Sequence, residues 1–267
     1  MSEFKDKVVI ITGASEGIGR SLAHEFAPLQ ARLVLAARNV ERLNSLKAEV
    51  EAAGGQAIVV PTDVTDEAAC KQLIDTTVST YGQIDVLVCN AGGTMWTPME
   101  AIEDTSIYER LMKLNYLGSV YPCFYALPHL KRTMGRIVGV SSVAGLIGVP
   151  TRTAYSASKH AMFGFFDSLR IELQESGVTV TMIAPDFVLS EIHRRALGAD
   201  GKAIGKSPLQ ESKIMTSQAC AQLAVEAISE RKRLLITSRR GKLGRWLKLL
   251  MPKKMDAIAL KAIREKK

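Results

Sequence analysis

Long apolar runs are absent from this sequence, so no segment can be expected to cross a membrane as a helix. No signal-peptide pattern precedes the first apolar segment, because MSEFKDKVVIITG enters it within a few residues. Together these absences favour a cytoplasmic location. The 267 residues are 47% hydrophobic and 23% charged, an ordinary globular composition with room for one large or two small α/β domains.

Paired cysteines and clustered histidines are absent as well. The four cysteines are scattered without a CxxC pair, so we expect them to be reduced and structural. The four histidines lack the spacing of metal ligands, and we therefore expect no bound metal.

Positive charge is abundant only at the end of the chain. The formal net charge is +8, yet residues 231–267 hold a large excess of lysine and arginine. We divide the chain into a main domain (residues 1–240), which carries the motifs described below, and a basic amphipathic tail (residues 241–267). Leucines and Trp246 recur at helical spacing in the tail, which suggests either a peripheral membrane helix or a helix that covers the site or a dimer contact. No nucleic-acid-binding motif accompanies the charge.

Short apolar runs alternate with helical patterns through most of the chain. The predicted strands are Lys7–Thr12, Arg32–Ala37, Ala57–Val60, Ile84–Cys89, Arg136–Val140, Val178–Ala184 and Leu234–Thr237. Continuously apolar strands between helices predict a doubly wound α/β fold, in which a parallel sheet of about seven strands has helices on both faces. The ligand site of such a fold lies at the carboxyl ends of the strands. The aperiodic segment Glu191–Met215 follows the sixth strand, and we expect it to form a substrate lid.

A glycine-rich turn follows the first strand and opens the first helix. In TGASEGIG (Thr12–Gly19), glycines would let the backbone approach a pyrophosphate at the helix N-terminus. The second strand ends at Arg38, where a carboxylate would instead favour a free ribose 2′-hydroxyl. Arg38 therefore favours NADP(H), although Glu16 within the glycine turn argues mildly the other way and NAD(H) stays possible.

A tyrosine precedes a lysine by four residues in YSASK, which places both side chains on one face of a helix. A nearby ammonium group favours the phenolate, so Lys159 is expected to lower the pKa of Tyr155. Lowered toward neutrality, that hydroxyl could serve as an acid or base for carbonyl chemistry.

The motifs together resemble the compact, non-extended type of the short-chain dehydrogenase/reductase family, whose fold is Rossmann-like. In chain order they are TGASEGIG (Thr12–Gly19), Asp63, NAG (Asn90–Gly92), Asn115, Ser142 and YSASK (Tyr155–Lys159). They occur in the family's order and approximate spacing, and the resemblance covers residues 5 to about 237.

The resemblance implies a catalytic set of four residues. Tyr155 would be the general acid in carbonyl reduction and the general base in alcohol oxidation. Lys159 would lower its pKa and hold the nicotinamide ribose, while Ser142 would donate a hydrogen bond to the substrate oxygen. Asn115 would interrupt its helix and hold a water that links Lys159 to solvent.

The resemblance also implies a cofactor site. Its expected residues are Gly13, Ser15, Gly17, Ile18, Gly19, Arg38, Asp63, Val64, Asn90, Gly92, Tyr155, Lys159, Pro185, Val188 and Ser190. Members of the family are commonly dimers or tetramers, so a homodimer or homotetramer is expected.

Two positions depart from the family's pattern. Asp186 follows Pro185 where the family usually has glycine, and its side chain and charge put the cofactor affinity in question. Pro122 lies inside a long helix predicted from Ile107 to Arg132, where it would bend the axis.

Apolar residues follow the strands on the substrate side, among them Met95, Trp96 and Phe187. We therefore expect a hydrophobic ketone or aldehyde, or the corresponding alcohol, in preference to a sugar or a charged acid. The alternatives are an NAD-dependent alcohol dehydrogenase and a non-catalytic cofactor-binding scaffold at a membrane.

Overall fold

Seven parallel strands form one sheet at the centre of the protein. The computed structural model describes residues 3–207, 209 and 214–264. The strands are β1 (Val8–Thr12), β2 (Arg32–Ala37), β3 (Gln56–Pro61), β4 (Val86–Cys89), β5 (Arg136–Val140), β6 (Thr179–Ala184) and β7 (Leu234–Ile236). Their spatial order is β3-β2-β1-β4-β5-β6-β7, and every pair is parallel. This order confirms the predicted doubly wound fold.

Helices cover both faces of the sheet. They are α1 (Gly17–Phe26), α2 (Val40–Ala52), α3 (Glu67–Tyr81), α4 (Ser106–Leu111), α5 (Gly118–Thr133), α6 (Thr153–Glu172), α7 (Ser217–Ser229), α8 (Arg239–Leu250) and α9 (Pro252–Arg264). Successive residues of a strand face opposite sides, so Val9 packs in the core with α1, α2 and α7, while Ile10 packs with α3, α5 and α6. Both faces are therefore dry, as continuously apolar strands require.

The sheet changes direction between β1 and β4. From β1 the chain winds outward to β3, then returns to β4 and winds the other way. Crossovers on opposite sides leave a crevice at the carboxyl ends of these two strands, where ligands bind in folds of this class. The glycine turn and the Asn90–Gly92 segment both begin at this crevice.

The long helix expected from Ile107 to Arg132 is divided by a wider turn. Residues Met112–Leu117 form a π-helical segment between α4 and α5, and Pro122 lies shortly after it, inside α5. A proline has no backbone N–H to donate, so α5 lacks one backbone hydrogen bond at Pro122. Asn115 lies within the π-helical segment, so its helix is interrupted there as expected.

The end of the chain folds back as two consecutive helices, α8 and α9. Gly241 and Gly244 are buried on α8, whereas most of its other side chains are exposed. Within the described part of the chain, no helix has the length and apolarity needed to span a membrane.

The segment expected to be a lid, Glu191–Met215, holds a short 3₁₀ turn at Glu191–His193 and backbone bridges to residues before it. Leu197 pairs with Met95, and Met215 pairs with Val188. Residues 208 and 210–213 of this segment lie outside the described residues.

Candidate active site

A cavity of about 690 Å³ opens at the carboxyl ends of the strands. It is lined by all of the residues predicted for the site except Gly19 and Asn115, which lie directly behind its wall. The parallel topology thus brings together residues from seven separate segments of the chain.

The glycine turn leaves room for a phosphate group close to the backbone. Gly13 has a φ of +67°, and a Cβ there would lie 2.8 Å from Cα of Ala91. A Cβ on Gly19 would lie 2.3 Å from the carbonyl oxygen of Gly13, so α1 packs against the turn only with glycine. The N-terminus of α1 points its free N–H groups at this cradle, which fits a dinucleotide pyrophosphate.

The charge of Glu16 is compensated by two arginines. Its carboxylate accepts hydrogen bonds from Nη1 of Arg42, at 2.6 Å, and from Nη2 of Arg195. Arg38 is 75% exposed at the end of β2, with Nη1 3.8 Å from Oδ2 of Asp63. Positive charge therefore prevails on the side of the cavity where Arg38 lies.

Tyr155 and Ser142 both line the cavity, and their hydroxyl groups lie close together. Burial raises the pKa of Tyr155, while a hydrogen bond with the Ser142 hydroxyl and the charge of Arg152 act to lower it. Ser142 Oγ accepts from the backbone N–H of Ala144 at 3.2 Å and lies 3.4 Å from the carbonyl oxygen of Pro185. The serine hydroxyl is thus held beside the phenol.

Lys159 lies farther from the phenol than its spacing suggested. Its Nζ donates to the carbonyl oxygen of Val140 at 2.9 Å and is 5.9 Å from the ring centroid of Tyr155. Burial lowers the pKa of Lys159 to about 7, which weakens its influence as a cation at neutral pH. The cation whose charge acts on Tyr155 in this structure is Arg152 rather than Lys159.

Asn115 ties three segments together behind the cavity. Its Nδ2 donates to the carbonyl oxygen of Gly93 at 3.0 Å and to Oγ of Ser158 at 2.9 Å, and its Oδ1 accepts from the N–H of Gly93 at 2.8 Å. Because Asn115 is buried, these bonds fix the turn after β4 against α6.

Asp186 bonds its carboxylate to residues at the start of α8. The carboxylate accepts from Arg240, from Oγ of Ser238 at 2.7 Å and from the N–H of Phe187 at 3.0 Å. Burial acts to raise the pKa of Asp186, but these hydrogen bonds and the charge of Arg240 hold it below its usual value. Aspartate in place of glycine therefore adds a carboxylate beside the site, but its hydrogen bonds are made within the protein and Arg240 balances its charge.

One part of the site escaped the sequence analysis, and a second was left there as one of several alternatives. Arg152, three residues before Tyr155, is buried in the cavity wall. Leu247, Met255 and Ile258 of the C-terminal helices also line the cavity. An arginine so close to YSASK was the available signal for the first part. For the second, the helical spacing of the tail left a site-covering helix as one alternative, and the lining of the cavity agrees with it.

The sequence model of the short chain dehydrogenase family matches residues 7–199. The chain belongs to the short-chain dehydrogenase/reductase family. It is therefore an oxidoreductase that acts on CH–OH donors with a nicotinamide cofactor, NAD or NADP, as the sequence resemblance implied.

Curated relatives extend over most of the chain. A Dictyostelium discoideum protein named dehydrogenase/reductase SDR family protein 7-like is 33% identical over 97% of this chain and 83% of its own length. Human dehydrogenase/reductase SDR family member 7 is 36% identical over 94% of this chain and 76% of its own length. A Pinus massoniana protein named 11-beta-hydroxysteroid dehydrogenase is 39% identical over 78% of this chain, which corresponds to 59% of the pine protein.

Solved structures agree with the fold. A short-chain dehydrogenase/reductase from Burkholderia phymatum, in complex with NAD, superimposes with a TM-score of 0.82 at 27% identity, over 93% of this chain and 94% of that one. The agreement covers nearly the whole of both chains.

Proposed function

We propose that the protein is an NADP(H)-dependent oxidoreductase that interconverts an apolar ketone or aldehyde and its alcohol. The observation that carries the proposal is the meeting of Tyr155, Ser142 and Lys159 at one wall of an apolar cavity that is continuous with the glycine turn. The names of the curated steroid dehydrogenase relatives agree with an apolar substrate.

In reduction, the Tyr155 hydroxyl gives its proton to the carbonyl oxygen as negative charge develops there. The Ser142 hydroxyl holds that oxygen by a hydrogen bond. The nicotinamide, when bound, supplies the hydride. Lys159, four residues after Tyr155 on α6, would hold the nicotinamide ribose. Asn115 supports this part of α6 through its hydrogen bond to Ser158. In oxidation Tyr155 accepts the proton from the alcohol.

NADP(H) is proposed over NAD(H) because of the charged residues around the site for the adenosine part of the cofactor. The residues proposed to bind this part are Arg38, Asp63, Val64 and Asn90. Arg38 is exposed and available to a 2′-phosphate, while Arg42 and Arg195 compensate Glu16, the one acid that argued against it. The NAD complex of the Burkholderia protein keeps an NAD-dependent alcohol dehydrogenase as the second candidate.

The test compares oxidation of NADPH and of NADH with a panel of apolar ketones. Tyr155→Phe should lower kcat/KM by roughly 100-fold or more while cofactor binding persists. Tyr125→Phe is the matched control, because that hydroxyl bonds Glu67 on the outer surface. Turnover retained in Tyr155→Phe would refute the assignment of the acid. Tight cofactor binding without turnover of any ketone would favour a non-catalytic scaffold.

We also propose peripheral contact with an anionic membrane through α8. Trp246 and Leu250 are 61% and 75% exposed. Arg239, Lys242 and Arg245 recur every three residues beside them, and they are exposed as well. A basic stripe along an apolar one is the arrangement that binds anionic headgroups while burying apolar side chains.

The proposed assembly is a homodimer or homotetramer. Phe124 is a large apolar side chain exposed on α5, and exposed aromatic residues of this kind are common at subunit contacts. Light scattering measures the number of subunits directly, and Phe124→Ser should form the oligomer less readily than the wild type. A monomeric wild type would refute the proposed assembly.

A further inference from the structure

Arg152 is a buried cation without a hydrogen-bonding partner among the described residues. It is the N-cap of α6 and only 5% exposed. Its Nε and Nη2 are fully buried, and neither has an acceptor in the described part of the protein. Burial lowers the pKa of Arg152 to about 10, so the group still carries its charge at neutral pH. A buried charge left unpaired is costly, which calls for an anion that pairs with it.

Aromatic rings hold the guanidinium in place inside the cavity wall. Its Cζ lies 4.1 Å from the ring centroid of Trp96, 5.1 Å from that of Phe187 and 5.7 Å from that of Tyr155. All four residues line the cavity. Ring faces attract the positive charge but offer no hydrogen-bond acceptor, so the rings leave the Nε and Nη2 donors without one.

The backbone before Arg152 is also held in an unusual conformation. Thr151 has a φ of +66°, in the left-handed region that a β-branched residue rarely adopts. Its carbonyl oxygen accepts from the N–H of Thr97 at 2.9 Å, which anchors the turn. Strained residues of this kind cluster at functional sites, where the surrounding structure fixes them.

The nearby protein carboxylate is already engaged. The charge of Asp186 acts on Arg152, but that carboxylate is bonded to Arg240, Ser238 and the backbone of Phe187. Arg152 is thus a prepared donor for a group that comes from outside the protein.

We infer that Arg152 binds a carboxylate of the substrate, so that the substrate is an oxo or hydroxy acid with an apolar body. The inference rests on the proposed function and revises its substrate class, because an oxo acid adds a carboxylate to the apolar body. A guanidinium matches a carboxylate with two parallel hydrogen bonds. Because Arg152 lies beside Tyr155, this contact would orient the reacting carbonyl toward the phenol. The neutral ketone expected from the apolar lining is then the weaker substrate.

The test uses 3- and 4-acetylbenzoate and their methyl esters, which differ only in the charge of the carboxyl group. Binding to the enzyme–NADP⁺ complex is measured by calorimetry for the wild type, Arg152→Met and Arg152→Lys. The wild type should bind at least one acid roughly 10- to 100-fold more tightly than its ester. Arg152→Met should lose this preference, and Arg152→Lys should retain part of it.

Three outcomes would overturn the inference. The wild type could bind both esters as tightly as the acids. Arg152→Met could weaken the binding of acid and ester equally, which would mean that Arg152 acts through packing or by positioning Tyr155. It could instead weaken the binding of NADP⁺, which would mean that Arg152 contacts the cofactor. If Arg152→Met does not fold, the acid–ester comparison in the wild type and Arg152→Lys decides.

Turnover separates this inference from the function on which it rests. Acid-selective binding through Arg152 without NADPH oxidation would refute the proposed activity and leave the carboxylate site standing. Reduction of the esters at rates equal to those of the acids would support the activity and overturn the role of Arg152.

Discussion

The carboxylate of Asp186 is bonded to the guanidinium of Arg240, 54 residues later in the chain. Asp186 follows β6, and Arg240 lies in the first turn of α8. The pair therefore fastens the C-terminal helices to the loop that borders the cavity. The side chain of Asp186 is only 17% exposed, which protects the contact from screening by solvent better than an ordinary surface pair.

We expect a double-mutant cycle of Asp186→Asn and Arg240→Gln to give a coupling free energy of about 1 kcal/mol, measured by urea unfolding. The exposed pair Lys71–Asp75 on α3 is the control and should give less than about 0.5 kcal/mol. Amide exchange of α8 should accelerate in Asp186→Asn. Equal coupling in both pairs, with α8 unaffected, would contradict a fastening role.

Arg38→Glu should change the choice of cofactor. A carboxylate at the end of β2 repels a 2′-phosphate and accepts from a free ribose hydroxyl. The dissociation constant for NADPH should rise roughly 10- to 100-fold, and that for NADH should change little. Lys47→Glu makes the same charge change on α2, outside the cavity lining, and serves as the control. Equal weakening of both cofactors by Arg38→Glu would reject the proposed preference.

The buried amine of Lys159 should make stability depend on pH. Its pKa is about 7 in the folded protein and 10.5 in the unfolded chain, so between these values the unfolded state binds more protons. The free energy of unfolding contributed by this group therefore increases with pH in that window, by about 1 kcal/mol per unit. Urea unfolding between about pH 7.5 and about pH 9.5 should show a steeper rise for the wild type than for Lys159→Met. Parallel curves would contradict the lowered pKa.

Membrane contact through α8 predicts co-sedimentation with vesicles of phosphatidylcholine and phosphatidylserine at low salt. Binding should fall when salt is raised or phosphatidylserine is omitted, because the basic stripe acts by charge. Trp246→Ser should weaken binding, whereas Ile171→Ser, a change at an exposed apolar residue of α6, should not. Absence of sedimentation with the anionic vesicles at low salt would refute the contact.

The fold followed from local patterns because buried parallel strands are continuously apolar. The predicted bounds of Arg32–Ala37 and Arg136–Val140 coincide with β2 and β5. The edge strand β3 was predicted as Ala57–Val60, and the structure extends it by one residue at each end. The prediction was too short because the terminal residues Gln56 and Pro61 are exposed and interrupt the apolar run.

Much of the candidate site was also predictable, because turns after parallel strands meet at one edge of the sheet. The rest depends on contacts between distant segments. No local spacing indicates that Arg152 stacks on Trp96, or that Arg240 reaches Asp186. The contact of α8 and α9 with the cavity was one of the alternatives for the tail. The sequence could not choose among them, because an amphipathic pattern defines a face without identifying what packs on it.

All four cysteines are free and buried, in four different elements of the fold. Burial raises the pKa of Cys70 and of Cys220 to about 12, so these thiols are protonated and unreactive while their surroundings stay packed. A thiol reagent can modify them only when α3 or α7 opens. Cys70 lies on one face of the sheet and Cys220 on the other. The rates at which a thiol reagent labels them would therefore compare the local stability of the two faces in the protein without any substitution.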